Sequence, residues 1–597
     1  MKKVLTAVLI LFIAFSFTFA QDKKIANSSL ENGDVKSPSK SVYGYIPANL
    51  LETYPGSIPN TSNFCDYMTN GSNLNQLWVM GDTIIVAYFA CDSNDALGAT
   101  SRIAYYLYSV NGGTNWSDPI QLQPVTPDRS AYPDLYIYLA GSDRNVVISG
   151  RKYNGSASRG GSWSETMLGL GSFLSSRVPE PGRDFFGAYT NNNTYAGMYS
   201  SVIDTENDSL FFVKYNVGSN TYSGKTLLAV SPVNIKGNVR YRMTADQTGN
   251  NVFGMWYENT DGTQAMRYVT SSNGGTNFSA VQTIQVARGL NGIINGDTCS
   301  PWFGIDALYK PGTTQWFAAY NTLYPIAGGG QNAFYPNSCK VLITSPGLNG
   351  GVPVEVAGRT NMTILSDTSI YYNQLFDQQV GLTPVSHPTI AFSSNGSRLV
   401  CVFSAYQPGD TLDAFNFNDL YVTYSDNGGL NWATPVNMTN TPTWDELYPT
   451  LTETGNSVNS FKVKFIATRG PGSSFFTDNA PVYRVYQVLK TFNPSNVGIK
   501  NITSEIPEEI SLYQNYPNPF NPVTKIKFSI PQGISNNLIT LKVYDVLGKE
   551  ISTILNQNLT AGTYETDFDG SKLSSGVYFY RLTAGSYTEM KKMMLVK

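Results

Sequence analysis

The sequence has few of the residues that most metal sites and nucleic-acid-binding surfaces require. Only 14% of its 597 residues are charged, where an average soluble domain has about 25%. It contains one histidine, no CxxC pair and no cluster of cysteine with histidine, which argues against a zinc site. The net charge is −3 and no long basic run occurs. Nucleic acid is therefore not expected as a partner, because phosphate binding needs clustered lysine and arginine.

Long apolar runs are also absent, except for one at the N-terminus. Two lysines precede an apolar stretch from Val4 to Phe19, and small residues stand at Thr18 and Ala20. The stretch is short for a membrane span of about 20 residues, and polar sequence follows at once. We therefore interpret residues 1–20 as a cleaved secretory signal and predict an exported protein that is not integral to a membrane.

Cysteine is scarce, with five residues in the chain. Export permits disulfides, and the nearest pairs in sequence are Cys65 with Cys91 and Cys299 with Cys339. Cys401 lies in the apolar run RLVCVF and is predicted to be a buried free thiol. Spacing alone leaves the pairing open.

Tyrosine (39 residues) and glycine (53 residues) are abundant, and asparagine, serine and threonine are common too. Aromatic residues favour strands, and glycine and asparagine favour turns, so this composition is typical of an all-β protein. The length is too great for one compact core and predicts two or more domains.

One eight-residue phrase occurs three times: SVNGGTNW from Ser109, SSNGGTNF from Ser271 and SDNGGLNW from Ser425. Segments of alternating apolar and polar residues flank the copies, as in DLYVTY before the third and ATPVNM after it. Such alternation predicts strands, and Asn-Gly-Gly tolerates the positive φ that a tight hairpin needs. Each copy is therefore predicted to be a hairpin turn closed by its final aromatic residue.

The phrase resembles the Asp-box, or BNR repeat, of sialidase-like β-propellers, S-x-D-x-G-x-x-W, with asparagine where that family usually has aspartate. In the family the box closes a hairpin at the blade periphery, away from the ligand site, so the resemblance implies architecture and not catalysis. The positions that correspond to the motif are Ser109, Asn111, Gly113, Trp116, Ser271, Asn273, Gly275, Phe278, Ser425, Asn427, Gly429 and Trp432.

The intervals between the three copies are each too long for one propeller blade of about 40–50 residues, so blades without a box are expected between them. A second pattern, an apolar strand that ends near an aromatic residue, marks seven units: DTIIVAYFA, RNVVISGRKY, DSLFFVKYN, NNVFGMWYE, TQWFAAYN, SRLVCVFSAY and SFKVKFIAT. We predict a β-propeller over residues 75–490, with seven blades favoured and six as the alternative. Residues 21–74 lead into it.

The alternating pattern of apolar and polar residues ends after the predicted propeller. Residues 491–510 lack periodicity and are predicted to be a linker. Residues 511–597 contain short strand-like segments and glycine-marked turns, which predict a small Ig-like β-sandwich. The opening NYPNPFNP (Asn515–Pro522), VYDVLGKEI, GVYFYRL and the basic-apolar end closely resemble the type A sorting domain of the type IX secretion system. The resemblance implies that the secretion machinery binds this domain and exports the protein across the outer membrane to the cell surface or medium.

A sialidase-type site needs three arginines that grip a carboxylate, a Tyr–Glu nucleophile and an aspartate acid/base. The first-blade motif Phe/Tyr-Arg-Ile-Pro is not found. Arginine pairs of the kind present here are more often at surfaces or blade edges, so we assign no catalytic set. Candidate ligand-binding residues come from three segments and are Asp128 and Arg129, Arg183 and Asp184, and Arg240 and Arg242.

No cofactor is predicted. The loop GDTLDAFNFND, with Asp410, Asp413 and Asp419, could bind Ca²⁺ but lacks the EF-hand order. His387 has no partner histidine for a metal site and is predicted to be structural. Two functions remain: a propeller that binds glycan or protein without catalysis, and a diverged sialidase-type hydrolase. Abundant tyrosine, tryptophan and asparagine favour the first, and an arginine triad placed in one site would favour the second.

Overall fold

A computed structural model describes residues 53–597 with internal gaps, so the predicted signal at residues 1–20 lies outside the described residues. The described part is all-β: it has no α-helix and three short 3₁₀ segments, Leu348–Gly351, Thr363–Leu365 and Gln532–Ile534. No helix in this part is long and apolar enough to span a membrane. The gaps are residues 66–67, 69–73, 93–100, 124–128, 141–142, 155–156, 180–181, 192–193, 203–207, 231–240, 261–262, 287–292, 295–296, 299, 326–333, 366–382, 413–414, 472–482, 495–498, 504–506, 535–537, 559–560, 571–572 and 586.

Seven antiparallel sheets follow one another along the described residues before the C-terminal domain. In each sheet the strands pair in chain order, so every connection is a hairpin. The strands are, for sheet I, β1 (Leu77–Met80), β2 (Thr83–Ala90), β3 (Ile103–Ser109) and β4 (Ile120–Gln121); for sheet II, β5 (Ser130–Ala140), β6 (Asp143–Asn154), β7 (Ala157–Glu165) and β8 (Leu174–Arg177); for sheet III, β9 (Gly182–Asn191), β10 (Thr194–Val202), β11 (Asp208–Asn216) and β12 (Thr221–Val230); for sheet IV, β13 (Tyr241–Ala245), β14 (Val252–Thr260), β15 (Thr263–Ser271) and β16 (Gln282–Val286); for a two-stranded ribbon, β17 (Ile293–Ile294) and β18 (Asp297–Thr298); for sheet V, β19 (Ser300–Tyr309), β20 (Trp316–Pro325), β21 (Phe334–Thr344) and β22 (Val354–Ala357); for sheet VI, β23 (Val385–Phe392), β24 (Leu399–Leu412), β25 (Phe415–Ser425) and β26 (Val436–Asn437); and for sheet VII, β27 (Asp445–Leu451), β28 (Phe461–Thr468) and β29 (Val485–Phe492).

The seven apolar segments recognised in the sequence each fall on a strand of a different sheet, namely β2, β6, β11, β14, β20, β24 and β28. These strands are apolar on both faces because neighbouring sheets pack against both sides of a sheet. The first strand of sheet VI shows the same effect, since Val385–Phe392 is buried along its whole length.

The sheets are arranged as a ring in which each first strand lies innermost. The first strand of each sheet packs against the preceding sheet from sheet I to sheet VII. The ring closes where sheet VII meets the start of sheet I: Thr450 Oγ1 donates to the Leu74 carbonyl at 3.1 Å, and Thr454 Oγ1 donates to the Val79 carbonyl at 2.6 Å. The arrangement is therefore a propeller with a central axis.

The N-terminal segment takes part in this closure. Ile58 N donates to the Gln487 carbonyl at 2.8 Å, and Asn63 and Val485 exchange two backbone bonds of 2.8 and 2.9 Å. Sheet VII has three strands of its own, and this segment lies along its outer strand β29. Part of the predicted lead-in at residues 21–74 thus belongs to the last sheet, which sequence periodicity could not indicate because the partners are more than 400 residues apart.

A disulfide joins Cys65 to Cys91 and ties the N-terminal segment to the end of β2. It is the first of the two pairs that lie nearest in the sequence. Cys401 is a buried free thiol, and burial raises its pKa well above the ordinary value. Cys339 is buried as well. Cys299 lies outside the described residues, so its pairing with Cys339 stays a prediction.

The C-terminal domain consists of two four-stranded sheets, ordered β30-β35-β32-β31 and β34-β33-β36-β37. They share one apolar core, to which Phe528, Leu541 and Tyr580 contribute. The strands are β30 (Ile499–Thr503), β31 (Ser511–Leu512), β32 (Val523–Ile530), β33 (Leu538–Tyr544), β34 (Glu550–Asn558), β35 (Gly562–Asp569), β36 (Gly576–Ala584) and β37 (Tyr587–Leu595).

The prediction that residues 491–510 form a linker is wrong for part of this segment. Strand β29 continues to Phe492, and β30 pairs with β35 of the C-terminal domain, with Ile499 opposite Thr566. The five residues of β30 are too few to show periodicity, and their pairing partner lies more than 60 residues away.

Candidate functional site

Three of the innermost strands contain the same irregularity, an aromatic residue followed by proline. Tyr132, His387 and Tyr448 each have positive φ (54°, 50° and 55°), and the strand register shifts at each of them. In sheet V the equivalent residue is Gly304, where a side chain would come within 2.9 Å of the His387 nitrogen. A positive φ is strained for residues other than glycine, so the surrounding packing must stabilise the bulge.

In each of these four strands, the side chain of the residue two positions after the bulge points toward a neighbouring sheet. These side chains bond to backbone groups of a neighbouring inner strand or of the segment that precedes it. The bonds therefore connect the sheets to one another around the axis. The four bonds join Asp134 Oδ1 to Asn75 N at 2.7 Å, Asp306 Oδ2 to Ile390 N at 2.9 Å, Thr389 Oγ1 to Leu451 N at 3.1 Å and Thr450 Oγ1 to Leu74 O at 3.1 Å.

Arg242, one of the predicted candidates, lies at the centre of this arrangement and is buried. Its guanidinium is 3.5 Å from Asp134, 3.3 Å from Asp306 and 3.0 Å from Glu453, so it joins sheets II, IV, V and VII. Burial raises the pKa of Glu453 to about 7, and the charge of Arg242 works against this shift. Burial likewise raises the pKa of Asp306. We expected a surface or blade-edge arginine; Arg242 instead holds together carboxylates from across the axis.

A buried lysine lies near the junction of sheets VII and I. Lys464 Nζ donates to Gln76 Oε1 at 2.6 Å, and burial lowers the pKa of Lys464 to about 7. Gln76 lies next to Asn75, which bonds to Asp134. The polar groups of the axis are thus largely occupied in holding the ring together.

A different group of basic residues gathers between sheets I and II. Arg102 directly precedes β3, Arg129 directly precedes β5, and Arg151 lies on β6; their residue exposures are only 3%, 8% and 2%. Their guanidinium carbons lie 5.1, 4.4 and 6.0 Å from the ring centre of Tyr153. Those of Arg102 and Arg151 also lie 5.6 and 5.0 Å from the ring centre of Tyr132. We call these five residues the arginine–tyrosine cluster.

The arginine–tyrosine cluster brings together side chains that can pair with an anion. Arg102 Nη2 and Arg151 Nη1 donate to the Tyr153 hydroxyl at 2.6 and 3.3 Å, which fixes their orientation. Guanidinium groups pair with carboxylate or sulfate through two parallel bonds. Three of them converge on two aromatic rings at buried positions, where the dielectric is low.

Of this cluster, sequence reasoning singled out only Arg129. Arg102 and Arg151 are isolated arginines in strand-like segments and carry no local signal. The repeated aromatic-proline pattern in AYPDL, SHPTI and LYPTL could have indicated the bulges, and through Tyr132 the position of the cluster.

The other candidates are not brought together in the described residues. Arg183 and Asp184 lie on β9, and the positions of their side chains are outside the description. Asp128 and Arg240 are outside the described residues altogether. His387 is buried, with its ring 4.7 Å from that of Tyr448.

The aspartates suggested for Ca²⁺ do not form a common site in the described part. Asp410 accepts a bond from Thr443 N at 2.8 Å, and Asp419 accepts one from Asn437 Nδ2 at 2.6 Å. Asp413 lies outside the described residues. Within the described residues, no group of three or more histidine, cysteine, aspartate or glutamate side chains could hold a metal ion.

The three repeated phrases form turns between the third and fourth strands of sheets I, IV and VI. In each, the serine hydroxyl donates to the asparagine Oδ1 at 2.9 Å and accepts from the second glycine nitrogen at 2.8–2.9 Å. The asparagine Oδ1 also accepts a backbone bond from the residue four positions later. Trp116 and Trp432 close their turns by donating from Nε1 to a glycine carbonyl at 3.0 Å.

In the turn that lacks tryptophan, Phe278 packs against Phe212 instead, with ring centres 5.0 Å apart. All three closing aromatic residues are half-buried. The first turn follows the end of β3, whereas Arg102 precedes the start of that strand. In all three turns the serine and asparagine side chains bond within the turn.

A ring of antiparallel sheets around an axis, with these turns on its outer strands, defines the class of protein: a β-propeller followed by a domain of two packed β-sheets. Residues 514–597 match the family model described as the secretion system C-terminal sorting domain. The C-terminal domain is thus a sorting domain, and the protein is exported across the outer membrane to the cell surface or extracellular space.

Comparison with solved structures gives remote similarities. An ulvan lyase from a polysaccharide lyase family has 10% identity and a TM-score of 0.45, with 72% of this chain and 95% of that chain covered. The NanB sialidase of Streptococcus pneumoniae has 9% identity and a TM-score of 0.36, with 76% and 73% covered. A protein of unknown function from Dyadobacter fermentans has 12% identity and a TM-score of 0.36, with 62% and 100% covered. A search of curated proteins finds no match.

Proposed function

We propose that this protein is an exported propeller that binds an acidic glycan, and that the arginine–tyrosine cluster holds the acidic group. The observation that carries the proposal is the convergence of Arg102, Arg129 and Arg151 on the rings of Tyr132 and Tyr153. Guanidinium groups bind carboxylate or sulfate, and tyrosine offers both an apolar face and a hydroxyl to a sugar ring.

We also propose a blade count for the propeller and a fold type for the C-terminal domain. The seven sheets are the seven blades of a closed propeller, which the bonds from Thr450 and Thr454 to the start of sheet I support. The C-terminal domain is an Ig-like sandwich, which its two packed four-stranded sheets support. The three box turns serve the scaffold, because their side chains bond within the turn.

The test is a glycan array probed with the full chain, followed by calorimetric titration of the strongest ligands. We expect carboxylated or sulfated glycans to bind and their neutral counterparts not to bind. Replacing one buried partner of a charged pair costs about 2–5 kcal/mol, so Arg151→Gln should weaken binding by at least about tenfold.

The matched control is Arg267→Gln, which removes the same charge from β15, where Arg267 pairs with Glu258 at 3.4 Å. This variant should bind like the wild type. Melting curves of both variants separate loss of binding from loss of folding. Equal binding of acidic and neutral glycans, or full binding by a folded Arg151→Gln variant, would contradict the proposal.

The second candidate, a sialidase-type hydrolase, is favoured by the same three arginines, because such an enzyme must grip a carboxylate. The two functions differ in a simple assay. Release of free sialic acid from a sialylated oligosaccharide, abolished in Arg151→Gln, would support the hydrolase. Saturable binding without any release would support the binding protein.

A further inference from the structure

The NYPNPFNP segment of the sorting domain covers the open edge of the last strand, β37. The side-chain amide of Asn518 pairs with β37 as a backbone peptide group would. Its Oδ1 accepts from Met594 N at 2.9 Å, and its Nδ2 donates to the Lys592 carbonyl at 3.4 Å. Phe520 continues the pairing through backbone bonds of 2.9 and 3.0 Å to Met594 and Val596. Strand addition at this half of the edge is therefore blocked, because the backbone groups are already used.

The segment is itself held firmly against the domain. Asn515 Nδ2 donates to Thr524 Oγ1 at 2.9 Å and to the Pro517 carbonyl at 3.1 Å. Asn515 N also donates to the Tyr580 hydroxyl at 2.8 Å. Asn515 and Asn518 thus fix the position of a segment that is separated from β37 by more than 70 residues.

Of the two aromatic residues in this segment, Phe520 is buried and Tyr516 is exposed. Tyr516 lies between Gln514 and Asn518, whose side chains both bond to the Lys592 carbonyl, yet it is 78% exposed. An aromatic side chain held outward on an anchored backbone loses little conformational entropy when it binds.

An outward row of side chains lies on β37, the strand whose Lys592 carbonyl accepts from Gln514 and Asn518 on either side of Tyr516. Successive side chains of a strand alternate between faces, and Met593 and Leu595 point into the core. The opposite face carries Met590, Met594 and Val596, which are 49%, 39% and 47% exposed, and the exposed Lys592 among them. Single exposed apolar residues are ordinary, but a row of them beside an exposed aromatic residue marks an interaction surface.

We propose that Tyr516 together with Met590, Lys592, Met594 and Val596 forms the surface through which the secretion machinery binds the sorting domain. The partner is a protein of that machinery that offers an apolar pocket for the tyrosine ring and an acidic rim for Lys592. The family match at residues 514–597 supplies the reason for a partner, and the exposure pattern assigns its contact residues. This proposal is independent of the acidic-glycan ligand.

The experiment expresses the full chain in a host with a type IX secretion system and compares the amount exported with the amount retained. Truncating an aromatic hot-spot residue commonly weakens a protein interface by tenfold or more, so Tyr516→Ala should reduce export on the order of tenfold. Tyr516→Phe should be exported normally, because the ring and not the hydroxyl makes the contact.

The matched control is Val110→Ala, which alters an apolar residue that is 62% exposed on the first box turn of the propeller. It should be exported like the wild type. A photoreactive aromatic residue placed at position 516 should form an adduct with an envelope protein, and the same group at position 110 should not. Normal export of Tyr516→Ala, or equal adducts from both positions, would overturn the proposal.

Discussion

Replacing Arg242 by methionine tests whether the axial arginine holds the propeller together. The change keeps a long side chain but removes the charge that faces Asp134, Asp306 and Glu453 at 3.0–3.5 Å. Breaking a buried ion pair by removing one partner costs about 3–5 kcal/mol, because the remaining charges are left buried without compensation. We expect a loss of unfolding free energy of this size near neutral pH.

The loss should depend on pH in a defined direction. Burial raises the pKa of Glu453 from 4.5 to about 7. A carboxyl whose pKa is raised by folding stabilises the fold below its unfolded pKa, and this contribution is lost as the pH rises through the folded value. Arg242 lowers this pKa, so without the arginine the loss extends to higher pH. The defect of Arg242→Met should therefore be smaller at about pH 5 than at about pH 8.

The assay is urea unfolding followed by tryptophan fluorescence at both pH values. All eight tryptophans lie between Trp78 and Trp444, so the signal reports on the propeller and not on the sorting domain. Arg267→Met, which loses a partly exposed pair with Glu258, is the control and should lose no more than about 1 kcal/mol. An Arg242→Met variant as stable as this control, or a defect that does not change with pH, would refute the reasoning.

Four further predictions concern the box turns, the disulfide and processing. Trp432→Ala should destabilise the fold by roughly 1.5–2.5 kcal/mol, half the cost of truncating a fully buried aromatic, and should leave glycan binding unchanged; abolished binding with unchanged melting would place the turn in a recognition site. Asn427→Asp should melt like the wild type, since either side chain accepts the bond from the backbone four residues later. Reducing the Cys65–Cys91 disulfide should lower stability by about 2–4 kcal/mol and first expose the amides of β29 to hydrogen exchange; unchanged exchange there would contradict the role in ring closure. Mass spectrometry of the exported protein should find Gln21 at its start and no peptides from the sorting domain, and a full-length exported chain would disprove removal of that domain.

The hairpins were predictable because each is encoded within a short stretch of chain. The apolar segment SRLVCVFSAY lies on β24, and the turn SDNGGLNW places β25 and β26 side by side because its glycines accept positive φ. The sorting domain was predictable for a similar reason, since NYPNPFNP and the C-terminal strand have a distinctive sequence. Positions such as β30 were missed because five residues carry too little pattern.

The sequence by itself thus determined the strands, the box turns and the sorting domain, all of which depend on neighbours within a few tens of residues. Only the tertiary structure decided which groups Arg242 and Arg151 contact. Arg242 bonds to Glu453 across 211 residues of chain, and this contact exists because ring closure brings the inner strands to one axis. Arg102, Arg129 and Arg151 come from three different segments, and they meet because sheet II packs against sheet I. A side chain's local sequence fixes the face of the strand on which it lies, but the packing of the sheets fixes which charges it meets there.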